Sequence, residues 1–237
     1  MILLVLIILL GLFLAGFYFA IQILHWLTTH LAAIYNVQVA VLSPVEAIMS
    51  IMQLTLLLLL IVCLPLVLLA IISYIRPALY ANERRLLLYA PLSLVLGVLG
   101  SLFSLYLSLN IFIPYFDNFS QILGVQNLWS LERLAGFIIG NLFVFFLIFQ
   151  VPLVIRLLHA LGWIKIKDVH FLRKVIIVIS LIVAALVTPP DVPSQLIVAF
   201  PFYLLFELSI QYCRYKEKST VRSIEKIKAK KKLKSKK

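Results

Sequence analysis

Residues 48–75 read IMSIMQLTLLLLLIVCLPLVLLAIISYI and contain no charged side chain. A helix of this length rises about 42 Å, more than the roughly 30 Å thickness of a hydrocarbon core. Similar runs recur along the 237 residues, of which 64% are hydrophobic and 13% charged. Soluble domains are about half apolar and one-quarter charged. The sequence therefore predicts a membrane protein.

The apolar runs are continuous stretches of Leu, Ile, Val and Phe, without the alternation of barrel strands. Every backbone amide in lipid needs a partner within the protein, which leaves helices as the spanning structure. The predicted fold class is all-α, a polytopic transmembrane helical bundle. Charges and turn residues delimit six spans, at 1–27, 48–75, 86–112, 134–156, 175–187 and 195–212. The first is interpreted as a retained helix, because it lacks the basic start of a signal peptide.

The basic residues fall almost entirely on one side of this topology. Twenty of the 21 Lys and Arg residues lie in the loop at 76–85, in the loop around 156–174 or in the segment from Arg214 onward, and Arg133 is the exception. Loops rich in these residues stay in the cytoplasm. We therefore predict a multi-pass protein of the cell (plasma) membrane with both termini inside.

The C-terminal segment is dense in lysine. We divide the chain into a six-span transmembrane domain, 1–213, and a basic cytoplasmic tail, 214–237. Directly behind a span, such a tail is typical of segments that bind anionic lipids, at about 1 kcal/mol per charge. We predict anionic lipids as its partner and no nucleic acid.

The sequence does not indicate an enzyme. It contains no metal-ligand spacing, no phosphate-binding glycine loop and no arrangement typical of a catalytic nucleophile, so we predict no catalytic residues, metal or cofactor. The two cysteines are interpreted as packing residues, because Cys63 lies inside one span and Cys213 at the end of another.

Polar groups within or beside spans are the functional candidates, because lipid makes them costly. Gln150 precedes Pro152 in span four, where its amide could satisfy a carbonyl freed by the proline or could contact another helix. Gly136 and Gly140 in the same span fit a close-packing pattern. Glu83 is the one acid of the loop at 76–85, where it could neutralise neighbouring arginines or accept an incoming one.

The stretch 188–194, TPPDVPS, cannot continue a helix because prolines lack the N–H donor and fix φ. It predicts a tight turn built by Pro189, Pro190 and Asp191. Asp191 could cap the next helix, since a carboxylate there accepts unpaired backbone N–H groups. Gln195 would point either into lipid or into a partner helix.

Three stretches together resemble the TatC family of the twin-arginine translocase. They are PALYANERR at 77–85, FLIFQVP at 146–152 and TPPDVPSQ at 188–195. The resemblance implies recognition of twin-arginine signal peptides on folded precursor proteins. It also implies recruitment of single-span subunits of the TatA and TatB kind, within an oligomer.

The resemblance also implies roles for particular residues. Glu83 would accept an arginine of the signal peptide. From the residues themselves, we expect Pro77, which ends span two, and Tyr80, an amphipathic anchor at the interface, to hold this carboxylate near headgroup depth and to complete the signal-peptide-binding site. The contacts to partner helices would be Gln150, Thr188 and Gln195.

The sequence departs from the family pattern in two places. The family usually carries a cytoplasmic segment of the form His-Leu-x-Glu-Leu-Arg before span one, whereas this sequence starts directly in the apolar run. The family also normally has glutamate at the position of Gln150. From the residues alone, the alternatives are a secondary transporter, which often shows repeated halves that this sequence lacks, or a non-catalytic scaffold subunit.

Overall fold

The computed structural model describes residues 2–35, 38–75, 89–122, 124, 128–160, 169–188 and 191–234. These residues form a helical bundle with one pair of short strands. The helices are α1 (Ile2–Tyr35), α2 (Pro44–Ile75), α3 (Tyr89–Leu107), α4 (Ile113–Ile122), α5 (Leu131–Ile148), α6 (Val151–Ala160), α7 (Val169–Val187) and α8 (Val192–Lys234). The strands β1 (Gln38–Ala40) and β2 (Leu128–Ser130) pair in parallel.

The predicted six-span all-α bundle is confirmed. Length and composition allow five helical segments to cross a membrane: Ile7–Ile34, Pro44–Val67, Pro91–Ile122, Leu131–His159 and Val192–Glu217. Helix α7 adds the remaining span, with 19 residues that rise about 28 Å. The third span joins α3 to α4, and the fourth joins α5 to α6.

Helix α5 is the centre of the bundle. In the most apolar 18-residue stretch of the fourth span, 56% of the residues are buried, compared with 11% in that of the first span. One face of α5 packs against α1 and α2, where Ile138 joins Leu24 and Leu54. Another face packs against α7 and α8, where Phe145 joins Ala184 and Val198. Helix α5 therefore contributes to the apolar cores on both sides of the bundle.

Helices α3 and α5 approach unusually closely. A Cβ added at Gly97 would lie 2.2 Å from the ring of Phe146, and one added at Gly100 would lie 2.6 Å from the carbonyl oxygen of Phe145. Real Cβ atoms essentially never come so near another heavy atom. Glycine is needed at both positions because the backbone of α3 lies against side chains and backbone of α5.

The close-packing glycines that the sequence suggested do not take this role. A Cβ at Gly136 would lie 3.7 Å from Gln53, and one at Gly140 would lie 3.9 Å from Val187, both ordinary contacts. The glycines that allow close packing are on α3, and those suggested on α5 have space for a methyl group.

The predicted end of span one, at residue 27, is wrong, because α1 continues to Tyr35. Two polar residues that follow the predicted end are satisfied inside the helix. The hydroxyl groups of Thr28 and Thr29 both donate to the carbonyl of His25, at 3.0 and 2.9 Å. Such bonds within one helix allow Thr to remain in an apolar span.

The predicted end of span three, at residue 112, is also wrong. A π-helical turn, Ser108–Phe112, leads directly into α4, and the N–H of Ile113 donates to the carbonyl of Ser108. Pro114 is the second residue of α4, and proline is tolerated in the first turn of a helix. The chain therefore passes Pro114 without leaving the helix.

The last span and the basic segment form one helix. Helix α8 runs without interruption from Val192 to Lys234 and contains Pro201. No turn separates the span from the lysine-rich segment that begins at Arg214. The division at this position rests on charge and not on a break in the backbone.

Gly100→Ala should destabilise the bundle by about 1–3 kcal/mol, because the new Cβ would collide with the carbonyl oxygen of Phe145. Thermal denaturation of the purified protein in detergent measures the loss. Gly11→Ala is the matched control, since nothing lies within 4 Å of its added Cβ. Equal melting temperatures for the two variants would contradict the close contact between α3 and α5.

Candidate functional site

The predicted site residues are only partly within the described residues. The ones outside them are Pro77, Tyr80, Glu83, Pro189 and Pro190. The described ones fall in two places. Gln150 lies at the junction of α5 and α6, whereas Thr188, Asp191 and Gln195 surround the turn between α7 and α8.

Gln150 is buried within the bundle, with 5% of its surface exposed. Its side-chain oxygen Oε1 accepts a hydrogen bond of 2.7 Å from the hydroxyl of Ser93 on α3. Its Nε2 donates to the carbonyls of Ser93, at 3.2 Å, and Phe146, at 3.3 Å. The side chain therefore joins α5 to α3 near Gly97.

The hydrogen bonds of Gln150 explain how the chain passes from α5 to α6 within the fourth span. In a regular α-helix the backbone N–H of Gln150 would donate to the carbonyl of Phe146. It donates instead to the carbonyl of Leu147, which leaves the Phe146 carbonyl without a backbone donor. The Gln150 amide takes that place. The sequence suggested that this amide satisfies a carbonyl freed by Pro152, which would be that of Ile148. The carbonyl that it contacts is instead that of Phe146. Direct contact between Gln150 and a partner helix would require these hydrogen bonds to break.

Asp191 caps helix α8, as the sequence suggested. Its Oδ2 accepts from the backbone N–H of Ser194 at 3.0 Å, and its Oδ1 accepts from the hydroxyl of the same serine at 2.7 Å. The hydroxyl of Tyr115 on α4 also donates to Asp191, at 3.5 Å. The turn between α7 and α8 is therefore held against α4.

Thr188 and Gln195 differ in what their side chains contact. Thr188 is buried, and its hydroxyl donates to the carbonyl of Ala184 at 2.9 Å. Gln195 is half-buried, and its backbone N–H donates to Asp191. Among the residues that the structure describes, the Gln195 side-chain amide has no hydrogen-bond partner. An amide at the end of a span thus retains two donors and an acceptor for another molecule.

An apolar groove of about 700 Å³ is lined on α8 from Leu196 onward, the residue that follows Gln195. Helices α3, α7 and α8 form its three walls, to which they contribute Phe103, Ile177 and Phe200, respectively. Ala199, one helical turn after Gln195, is also part of the lining. Because residues four apart share a helix face, Gln195 stands on the face of α8 that lines this groove.

Two contacts near the middle of α8 were not predicted from the sequence. Glu207 makes a bidentate ion pair with Arg173 of α7, in which Arg173 Nε lies 2.9 Å from Glu207 Oε2. Arg156 of α6 donates to the hydroxyl of Tyr212 at 2.9 Å, and its guanidinium lies 4.9 Å from the ring centre. An acid inside a span needs a partner, so Glu207 itself was the available signal.

Comparison with known proteins identifies the family. The profile of the family described as Sec-independent protein translocase protein (TatC) matches residues 1–201. The chain belongs to this family. It is thus a multi-span component of the twin-arginine translocase, and the resemblance drawn from three short stretches is confirmed.

Individual relatives agree with the family assignment. The Aquifex aeolicus Sec-independent protein translocase protein TatC is 30% identical over 201 residues, which cover 82% of each chain. The Escherichia coli K12 TatC is 32% identical over 69% of this chain and 63% of its own. A crystal structure described as the twin arginine translocase receptor TatC superposes with a TM-score of 0.73 at 29% identity, covering 89% of this chain and 95% of that one.

Gln150→Leu should lower the free energy of unfolding by about 1–3 kcal/mol, because buried partners on Ser93 and Phe146 lose their hydrogen bonds. Ser93→Ala removes the hydroxyl bond alone. Since both substitutions remove that same bond, the double variant should lose less stability than the sum of the two single losses. Denaturant unfolding in detergent measures all three. Strictly additive losses would contradict the contact, and Gln53→Leu, an exposed amide on α2, serves as the control.

Proposed function

We propose that this protein receives twin-arginine signal peptides of folded precursors and recruits single-span TatA-like and TatB-like subunits. Family membership supports the first role, since a solved relative is described as the receptor of the twin-arginine translocase. The observation that carries the second role is the unpaired amide of Gln195 beside an apolar groove.

The groove has the chemistry expected of a surface for a transmembrane helix. Leu196 and Phe200 on its α8 wall are 54% and 67% exposed, so another apolar helix could cover them. Apolar packing alone gives little net gain between helices in lipid, because lipid tails pack against the same side chains. A polar group adds direction to the contact. Gln195 would pair with a polar residue of the partner helix, beside Thr188 at the turn.

We place the signal-peptide site on the loop that holds Glu83, flanked by Pro77 and Tyr80. An arginine of the signal needs a carboxylate that is not already paired, because the planar guanidinium binds carboxylates in a bidentate manner. Glu207 does not meet this requirement, since it already binds Arg173. Glu83 is the only acid between residues 47 and 116, in a loop whose other charges are all basic.

The topology follows from the charge distribution. Both termini and the loop of Glu83 would face the cytoplasm, whereas the turn that Asp191 caps would face the opposite side. The segment beyond Arg214 would then rest near anionic lipid headgroups, which its lysines attract. Signal recognition and the polar partner contact would therefore occur at opposite faces of the membrane, within an oligomer.

Glu83→Gln should reduce binding of a paired-arginine signal peptide by about 30-fold or more. Removing one partner of a partly desolvated charge pair weakens binding by about 2–5 kcal/mol. The affinity of Glu83→Asp for the peptide should lie between those of the parent and of Glu83→Gln. Peptide titration in nanodiscs measures the affinities, with a Lys-Lys peptide as the reference for specificity. Glu217→Gln removes one exposed acid elsewhere and should bind like the parent. Parent-like binding by Glu83→Gln would overturn this site.

Gln195→Leu should weaken association with the single-span subunit by about 0.6–2 kcal/mol without unfolding the bundle, because one interhelical polar contact is lost. Energy transfer between labelled protein and labelled subunit in nanodiscs gives the association constant. Gln53→Leu removes a different exposed amide and should leave association unchanged. If both variants associate like the parent, the partner does not bind at Gln195.

A further inference from the structure

A second cavity lies at the end of the bundle that carries the α7–α8 turn. It encloses about 480 Å³ between α4, β2 and the start of α5. This volume falls within the range of about 300–1,000 Å³ that is typical of small-ligand sites. Its lining includes Ile113, Phe116, Trp129, Arg133, Leu134 and Phe137.

The cavity has an apolar interior. Ile113 and Leu134 are buried members of the cluster that α4 and α5 share with α1 and α2. Phe137 packs against the same cluster, and Trp129 stands on the strand that precedes α5. Tryptophan is enriched where hydrocarbon meets headgroups. The cavity thus extends from the expected headgroup level into the apolar part of the bundle.

Arg133 brings a positive charge to this apolar cavity. No other Lys or Arg lies between residues 86 and 155. Its side chain is exposed, and no carboxylate of the described residues lies within salt-bridge distance of it. Its backbone N–H donates to the hydroxyl of Ser130, which caps α5. The guanidinium takes no part in this hydrogen bond.

A cation above apolar walls is complementary to an anion that carries a hydrocarbon chain. A free phosphate would satisfy the guanidinium and leave the walls uncovered, whereas an uncharged detergent would do the reverse. The planar guanidinium binds phosphate oxygens in a bidentate manner. The surrounding bilayer supplies a molecule with both parts at high concentration.

We propose that this cavity binds a phospholipid from the adjoining leaflet. Its phosphate lies at Arg133, and part of one acyl chain packs against Phe116, Leu134 and Phe137. The bound lipid would join α4 to the start of α5 and cover the apolar wall. This site shares no residue with the loop of Glu83 or with the groove beside Gln195, so it stands independently of the proposed function.

Native mass spectrometry of the full-length protein, titrated with phosphatidylglycerol in detergent, tests the proposal. Arg133→Gln should weaken lipid binding about tenfold, since it removes a charge-assisted contact to phosphate. Ser120→Trp should abolish binding while keeping the charge, because Ser120 lines the cavity and the indole would fill it. Lys174→Gln, which removes an exposed charge outside the cavity, should bind like the parent.

Three results would overturn the site. The first is equal lipid binding by Arg133→Gln and Lys174→Gln. The second is parent-like binding by Ser120→Trp, or by the smaller Ser120→Leu if tryptophan prevents folding. The third is displacement of the lipid by millimolar inorganic phosphate, which would show that the charge alone binds and that the cavity is an adventitious feature.

Discussion

The close contact between α3 and α5 is the constraint on which the rest of the bundle depends. Gly97 and Gly100 let the backbone of α3 lie against α5, and Gln150 hydrogen-bonds to Ser93 at one end of the same contact. In lipid the hydrophobic effect contributes little to association between helices. Close packing at small residues and hydrogen bonds between polar groups therefore determine which helix faces pack together. Once α3 is fixed on one side of α5, the remaining faces of α5 are left for α1, α2, α7 and α8.

The same physical rule applies to the polar groups of the fourth span and of the α7–α8 turn. Gln150, Thr188 and Asp191 are each satisfied by atoms of this chain. Gln195 has no such partner among the described residues, although it stands at the end of a span. The cost of an unpaired amide in lipid is lowered when a second helix supplies its partner. Assembly with another subunit would therefore supply a hydrogen-bond partner for Gln195.

The sequence predicted the number and type of spans because apolar length alone determines them. It did not predict where helices end, since Thr28 and Thr29 bond to their own helix and Pro114 falls in a first helical turn. Capping by Asp191 was predictable, because the bond is local along the chain. The bond from Gln150 to Phe146 is also local, but the sequence pointed to the carbonyl that Pro152 frees. The pairs Gln150–Ser93 and Arg173–Glu207 join distant segments. One sequence can indicate that a polar residue in a span needs a partner, but it does not identify that partner.

The central claim is that signal recognition and the partner-helix contact lie on opposite faces of the membrane. Labelling with an impermeant maleimide in sealed right-side-out vesicles tests it directly, after Cys63 and Cys213 are replaced by Ala. Val192→Cys reports the α7–α8 turn, where the native side chain is 68% exposed, and Glu217→Cys reports the start of the basic segment. The account predicts that Val192→Cys is labelled in intact vesicles and Glu217→Cys only after permeabilisation. Labelling of both in intact vesicles, or the reverse order, would contradict it.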